Sequence, residues 1–447
     1  MLKDIILHNI KDWSKIDERE SFWGRVDLST PDSNFGIHRY NNALWTSGQV
    51  GVGRLFDRKG MPIQDNGRDH VLAVSSSYEL DPWVMLEMVL LDDEYDAYIA
   101  ELEKDGKYLF RIFYDQPVIR LPHGFGPEAE TLFALSYISS CYALCKKGLK
   151  KSLIYHEGNF TAKLRGKINV SRNIKHNSAR GRCDKFFCRY IDFTEDNIEN
   201  RIIKAALLKC KEIIKRRFHE DSSIRKKAVF CLNSLKHVKD TAIANRDFNS
   251  AEVGGLYSYY KPLLQQARAI LGFKFQSYCE GPVQGEEKPV YTIPYTINME
   301  TLFEYYARTI LKRTFSAGNY KVERYSKRLF LQKDVLAQVS AEKGIHLIPF
   351  CIPDIIITQN DNPVLVIDAK YKMSGRPDRG DSHQLLAYVL LTGADRCGFI
   401  LPSTETKVRE MQTTGDVFLN LSPGNVKYYE MLLGDRGDFA TFKSILA

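Results

Sequence analysis

Residues 352–372 read Ile352-Pro353-Asp354-Ile355-Ile356-Ile357-Thr358-Gln359-Asn360-Asp361-Asn362-Pro363-Val364-Leu365-Val366-Ile367-Asp368-Ala369-Lys370-Tyr371-Lys372. Two apolar runs, Ile355–Ile357 and Val364–Ile367, are separated by turn-forming residues and have the branched content of buried strands. A carboxylate marks one end of each: Asp354 precedes the first run and Asp368 ends the second. Burying an uncompensated charge costs several kcal/mol, and a divalent cation is the natural compensation for two neighbouring carboxylates. Asp368 and Lys370 lie two apart on a strand, so they share a face. The stretch therefore predicts two hard oxygen ligands and one ammonium at a single spot. Phosphodiester hydrolysis uses such a set. Carboxylates hold Mg²⁺ or Mn²⁺ in preference to zinc, the cation lowers the pKa of its water, and a lysine stabilises developing charge or orients that water. A second formal match, Pro377-Asp378 followed by Glu405-Thr406-Lys407, has no apolar strand before its aspartate and is read as loop.

Working outward, Asn298 reads as the N-cap of a helix carrying Met299, Leu302, Phe303, Tyr306, Ile310 and Leu311 on one stripe. Strands are expected over Leu329–Val339, Leu347–Thr358 and Pro363–Lys372. A polar loop, Ser374–Asp381, a helix through His383–Leu391 and a strand over Cys397–Leu401 complete an α/β domain over 291–447. Glu300 and Glu304 lie one turn apart off the apolar stripe; either can complete the metal site or face solvent. Gln384 and Tyr388, at i and i+4, can face the sheet ends or simply pack. His383 and His346 are isolated and are given no ligand role.

Upstream, Gly285-Glu286-Glu287-Lys288-Pro289 reads as a hinge. Residues 126–290 read as mainly helical. One helix opens at Pro127-Glu128-Ala129-Glu130 and continues through Leu132, Leu135, Ile138, Tyr142 and Cys145. A second starts near Thr194 with Ile198, Ile202, Ile203, Ala206, Leu207, Cys210 and Ile214 on one face, and two more fall near Ile224–His237 and Leu256–Leu271. From Lys146 to Lys239 there are 25 Lys/Arg against 9 Asp/Glu, a net +16. The chain as a whole carries +8, so the remainder sums to −8. This basic segment points to a polyanion, most simply nucleic acid, with a solvated helix surface as the alternative. Residues 1–125 read as β-rich, with strand-like runs at Ala73–Tyr78 and Tyr108–Tyr114. Gly48-Gln49-Val50-Gly51-Val52-Gly53 lacks both the Lys-Ser/Thr of a P-loop and the third glycine of a dinucleotide fingerprint, and is read as strand and turn glycine.

At 447 residues the chain exceeds one hydrophobic core. Hydrophobic residues at 44% and charged residues at 26% are those of a folded globular protein. No apolar run approaches a membrane span, and Met1-Leu2-Lys3-Asp4-Ile5-Ile6 does not open a signal peptide, so a soluble cytoplasmic protein is expected. Nine cysteines without framework spacing fit a reduced environment. Cys141 and Cys145 are four apart and Cys183 and Cys188 five apart. A zinc knuckle wants tighter pairs, so buried apolar thiols are expected.

Five blocks carry a resemblance: Leu164-Arg165-Gly166-Lys167-Ile168; Glu199-Asn200-Arg201-Ile202-Ile203-Lys204-Ala205-Ala206-Leu207; Asn298-Met299 with Leu302-Phe303-Glu304; Pro353-Asp354 with Asp368-Ala369-Lys370-Tyr371-Lys372; and His383-Gln384-Leu385-Leu386-Ala387-Tyr388. In this order they resemble the McrC family of nuclease subunits within the PD-(D/E)XK superfamily, from about residue 126 onward. The resemblance implies an Mg²⁺-dependent endonuclease of a modification-dependent restriction system used in antiviral defence. By it, Asp354, Asp368, Ala369 and Glu304 form the metal set, with Asp354, Asp368, Lys370, Glu304 and Gln384 as catalytic residues. It also implies double-stranded, modified DNA as substrate and a separate ring-forming AAA+ GTPase or ATPase, McrB-like, that this chain stimulates. No nucleotide is expected on this chain, which has no phosphate loop. No iron–sulfur cluster is expected, since only Cys397 follows the catalytic strands. The expected layout is an N-terminal β-rich domain (1–125), a basic helical middle domain contacting DNA, the ring or both (126–290), and the nuclease domain (291–447). The rival readings are a non-catalytic activator of the NTPase with a relic nuclease core, and a stand-alone nuclease that cuts without NTP.

Overall fold

A computed structural model describes residues 5–29, 33–78, 80–90, 92, 94–104, 106–121, 128–216, 218, 220, 222–251, 253–272, 290–316, 319–323, 329–330, 350–372, 377–411, 426–435 and 439–446. The expected hinge at 285–289 and most of the strand expected over Leu329–Val339 lie outside these residues. In the N-terminal part the main elements are β1 (Ile5–Lys11), β2 (Gln49–Arg54), β3 (Arg68–Ser75), α1 (Pro82–Leu90), α2 (Tyr95–Lys104) and β4 (Phe110–Ile112). The middle holds α3 (Glu128–Lys147), β5 (Ser152–Thr161), β6 (Lys167–Ile168), β7 (Lys185–Thr194), α4 (Ile198–Lys215), α5 (Ser223–Ser234) and α6 (Tyr260–Ile270). The last part holds β8 (Tyr295–Asn298), α7 (Met299–Thr314), β9 (Tyr320–Glu323), β10 (Ile355–Gln359), β11 (Asn362–Ala369), α8 (Arg379–Thr392), β12 (Arg396–Pro402), β13 (Lys407–Met411) and β14 (Lys427–Leu433). Among the described residues no helix is long and apolar enough to cross a membrane.

These elements form two compact units, residues 1–120 with 292–447, and residues 121–291. The first and last thirds of the chain, separate segments in the sequence, thus share a unit. One of its sheets has the order β1-β3-β2-β8-β4, with the short strand Gln64–Asp65 also on β3. β1 runs parallel to β3, and the other neighbours along this order are antiparallel. The glycines of β2 serve this packing: Gly51 has φ +144°, and a Cβ there would lie 2.2 Å from the Tyr295 carbonyl oxygen on β8. The helices α1 and α2 are additions to the β-rich reading of residues 1–125. They pack on the rest of the unit through α7: α1 contacts α7, and the Tyr98 ring of α2 stacks on Tyr305 with centroids 3.8 Å apart.

The second sheet of this unit has the order β9-β10-β11-β12-β14-β13. β11 pairs antiparallel with β10 and parallel with β12, so it is an interior strand, and Leu365, Val366 and Ile367 are buried. Strand alternation sets Ile356, Val366 and Phe399 into one cluster with Leu385, Tyr388 and Val389 of α8. α8 opens on a reciprocal cap in which Asp378 Oδ1 accepts from Asp381 N and Asp381 Oδ2 accepts from Asp378 N. Asp378 is therefore a cap, as its loop setting implied, and Glu405 and Lys407 pair with each other.

The unit 121–291 joins the helices α3, α4, α5 and α6 to a three-stranded antiparallel sheet ordered β6-β7-β5. The two ten-residue strands β5 and β7 are additions to the mainly helical reading of this region. α4 starts at Ile198, later than the position expected near Thr194, because Thr194 ends β7 and the Asn197 side chain caps the helix by accepting from Asn200 N. Ile202, Ile203, Ala206, Leu207, Cys210 and Ile214 are buried on its inner face, the stripe that the helical spacing predicts. Its first turn fastens neighbouring segments. Asn200 donates to the carbonyls of Lys150 and Glu195 and accepts from the Tyr260 hydroxyl, Glu199 pairs with Lys150, and Arg201 pairs with Asp196.

Candidate active site

Strand periodicity decides where the acidic groups point. Val366 packs against α8, and Asp368, two residues on, shares its face; Asp354, immediately before β10, stands two residues from Ile356 in the same way. The antiparallel register pairs Ile355 with Ile367, so Asp354 and Asp368 emerge side by side at the ends of adjoining strands. Asp354 Oδ2 accepts a 2.9 Å hydrogen bond from Ala369 N, which fixes its carboxylate across the end of β11.

Asp368 is fully buried. The Lys370 ammonium lies 2.8 Å from its Oδ2, yet neither Asp368 oxygen receives a well-directed hydrogen bond among the described residues. Burial and then the charge of Asp354 push the Asp368 carboxyl up to about 8, against the pull of Lys370. Burial alone would lower Lys370, but Asp368, Asp354 and Asp381 outweigh it and hold the ammonium above the usual lysine range. A buried carboxylate short of donors, beside a second, half-buried one, is what a hard divalent cation satisfies, and the oxygen-only set suits Mg²⁺ or Mn²⁺ by its chemistry.

A relay of hydrogen bonds holds the lysine. Its Nζ donates to Gln384 Oε1 at 3.2 Å, Gln384 Nε2 donates to the Tyr388 hydroxyl at 2.6 Å, and that hydroxyl donates to the Ile352 carbonyl at 3.0 Å. The chain of contacts begins on Lys370 and closes two residues before Asp354. Gln384 and Tyr388 thus face the strand ends together, and Tyr388 is also packed in the core.

The structure brings Asp354, Asp368, Ala369, Lys370 and Gln384 to one place. Glu304 is half-buried on α7. Its neighbour one turn earlier, Glu300, keeps solvent contact; the surrounding protein pushes its carboxyl up, while Lys107, Lys370 and Lys372 pull it down. Glu300 therefore lies within the electrostatic reach of the site lysine. The sequence reading missed Asp381, which is buried, binds Lys372 Nζ at 2.7 Å and lies 3.7 Å from Lys370 Nζ. The signal that finds it is the Asp378-x-x-Asp381 capping spacing at the mouth of α8.

One residue past the lysine, Tyr371 turns to the opposite side of the strand end. Its ring meets Phe303 of α7 with centroids 5.9 Å apart, and its hydroxyl donates to Asp12 Oδ2 at 2.6 Å. Asp12 also accepts from Ser77 N at 2.6 Å, Ser76 Oγ is 3.0 Å from the Tyr371 hydroxyl, and Tyr78 donates to the Lys372 carbonyl. The strand end bearing the site lysine is thus tied to the N-terminal sheet.

The sequence model of one family, described as the McrBC 5-methylcytosine restriction system component, matches residues 127–401. Among solved structures, the chain is similar to one described as a refined half-complex from a tetradecameric assembly of Thermococcus gammatolerans McrB AAA+ hexamers with bound McrC. The identity is 14%, the coverage 98% of both chains and the TM-score 0.39. It is also similar to the cryo-EM structure of the Thermococcus gammatolerans McrBC complex, at 14% identity over 69% of this chain and 88% of that one, with a TM-score of 0.31. None of the curated protein sequences matches this chain.

Proposed function

Because this chain belongs to the McrBC family of 5-methylcytosine restriction system components, we propose that it is the DNA-cutting subunit of such a system, with residues 291–447 as a PD-(D/E)XK-type endonuclease domain. The observation that supports this most is the convergence of Asp354, Asp368 and Lys370 at adjoining strand ends, with Asp368 buried and short of hydrogen-bond donors. Asp354 and Asp368 would hold Mg²⁺, together with the Ala369 main chain and a carboxylate from α7, Glu304 or Glu300. When bound, the cation supplies a polarised phosphate oxygen and a water of lowered pKa. Lys370, positioned by Asp368 and Gln384, faces the charge that builds on the phosphate during attack. The substrate in this reading is double-stranded DNA carrying 5-methylcytosine, and the motor is a separate McrB-like AAA+ NTPase that this chain stimulates. The +16 segment between Lys146 and Lys239 gives the middle unit the charge to touch DNA phosphates.

The test combines the purified chain with the NTPase of the same system, NTP, Mg²⁺ and methylated or unmethylated duplex. Lys370→Ala and Asp354→Ala should each abolish cutting while NTPase stimulation persists. Cutting that survives either change overturns the assignment of the site. Stimulation by the unaltered chain without any cutting would leave the activator role alone.

A further inference from the structure

A second cluster of ligand-type side chains lies in the unit 121–291. Cys141 and Cys145 are one turn apart on α3, and Cys231 lies on α5, which packs against α3. Their three sulfur atoms all lie within 4.8 Å of one another. Cys141 and Cys231 are buried, while Cys145 keeps partial solvent contact. We infer that Cys141, Cys145 and Cys231 form a trithiolate site for a thiophilic divalent cation, zinc, that staples α3 to α5.

Four observations support this. The donor set is all sulfur, which selects zinc over the hard cations that suit the carboxylates of the nuclease site. At a Zn–S bond of ~2.3 Å, tetrahedral geometry sets sulfurs about 3.8 Å apart, so a small side-chain adjustment from the present spacing closes the site. Cys145 supplies an entry path and leaves the fourth position toward water, while the two buried thiols fix the base. Finally, charge is compensated: three thiolates and one divalent cation leave one negative charge, and the buried Lys227, one turn before Cys231 on α5, acts on the Cys231 sulfur with its positive charge. A 4-residue spacing on one helix is too wide for a knuckle; the third ligand, 86 residues on, is what the fold supplies.

The test uses the full chain, stripped of metal with a chelator under reducing conditions and titrated with Co²⁺ as the probe. The expected result is one cobalt per chain with a sulfur-to-cobalt charge-transfer band and intense tetrahedral visible bands, displaced by Zn²⁺, and a thermal midpoint that rises with Zn²⁺. Cys145→Ser, at the half-open position, should lose the charge-transfer band while keeping the native circular dichroism; Cys231→Ser should lose it as well. Cys183→Ser, exposed on the sheet side of the unit, should keep it. Cobalt held only at the Asp354–Asp368 carboxylates gives weak bands without sulfur charge transfer, and that outcome, or an unchanged band in Cys145→Ser, overturns the inference. None of these readouts depends on DNA cleavage.

Discussion

The Tyr371 hydroxyl donates a 2.6 Å hydrogen bond to Asp12 Oδ2, joining residues 359 apart in sequence inside one compact unit. Burial raises the Asp12 carboxyl, and the donors Tyr371 and Ser77 oppose that rise. Tyr371→Phe leaves a buried acceptor short of one donor, so it should cost ~1–3 kcal/mol of stability. Denaturant unfolding of the purified chain measures this, and a loss below about 0.5 kcal/mol would show that the tie is inconsequential.

Gln384→Ala removes the acceptor that positions Lys370 and the amide that donates to the Tyr388 hydroxyl. A misdirected lysine should lower the cleavage rate by ~10–100-fold, with little change in DNA affinity. Single-turnover cleavage against a binding isotherm separates the two. Unaltered cleavage would reduce Gln384 to packing.

Without a cation, Asp368 should make stability fall as pH rises. Its folded pKa of about 8 exceeds the ordinary 3.8, so between those values the folded protein binds more protons than the unfolded chain. The contribution is full below about pH 4 and is lost as pH climbs through about 8. Thermal melts in chelator across this window should show the slope in the native protein and lose it in Asp368→Asn. Mg²⁺ should raise the melting temperature more at the alkaline end, where the carboxylate is free of its proton. Parallel profiles for the two proteins would contradict the assignment.

Asn200→Ala should destabilise the middle unit by ~1–3 kcal/mol, because it removes a donor from each of the half-buried Lys150 and Glu195 carbonyls and the acceptor of the buried Tyr260 hydroxyl at once. Limited proteolysis should then cut preferentially within residues 121–291. Resistance equal to the native chain would mean that water replaces the amide without loss.

Asp354, Asp368 and Lys370 were legible because each interrupts or ends an apolar run that the fold buries, and strand alternation fixes their common face. Gln384 and Tyr388 were visible as a helical i, i+4 pair, although only the Lys370 contact distinguishes positioning from packing. Asp381 was hidden in a polar loop reading and needed the capping spacing to stand out. The Asp12–Tyr371 tie has no local signature at all, since nothing near Asp12 refers to residue 371. β5 and β7 escaped for a different reason: Leu153, Tyr155, Ile191 and Phe193 are exposed, so the alternation did not mark a buried face. The Glu199-Asn200-Arg201 block, prominent in the sequence, proves to fasten segments of the middle unit together.

β8 lies between β2 and β4 as an interior strand, although it is encoded after residue 290. A nascent chain leaving the ribosome therefore presents residues 1–120 with two raw sheet edges facing an empty slot. The intervening 121–291 segment is translated in full before the missing strand arrives. Maturation must run inside out, the later-made segment settling while its predecessor waits, and a fragment ending near residue 120 should be sticky in its own right rather than a usable domain.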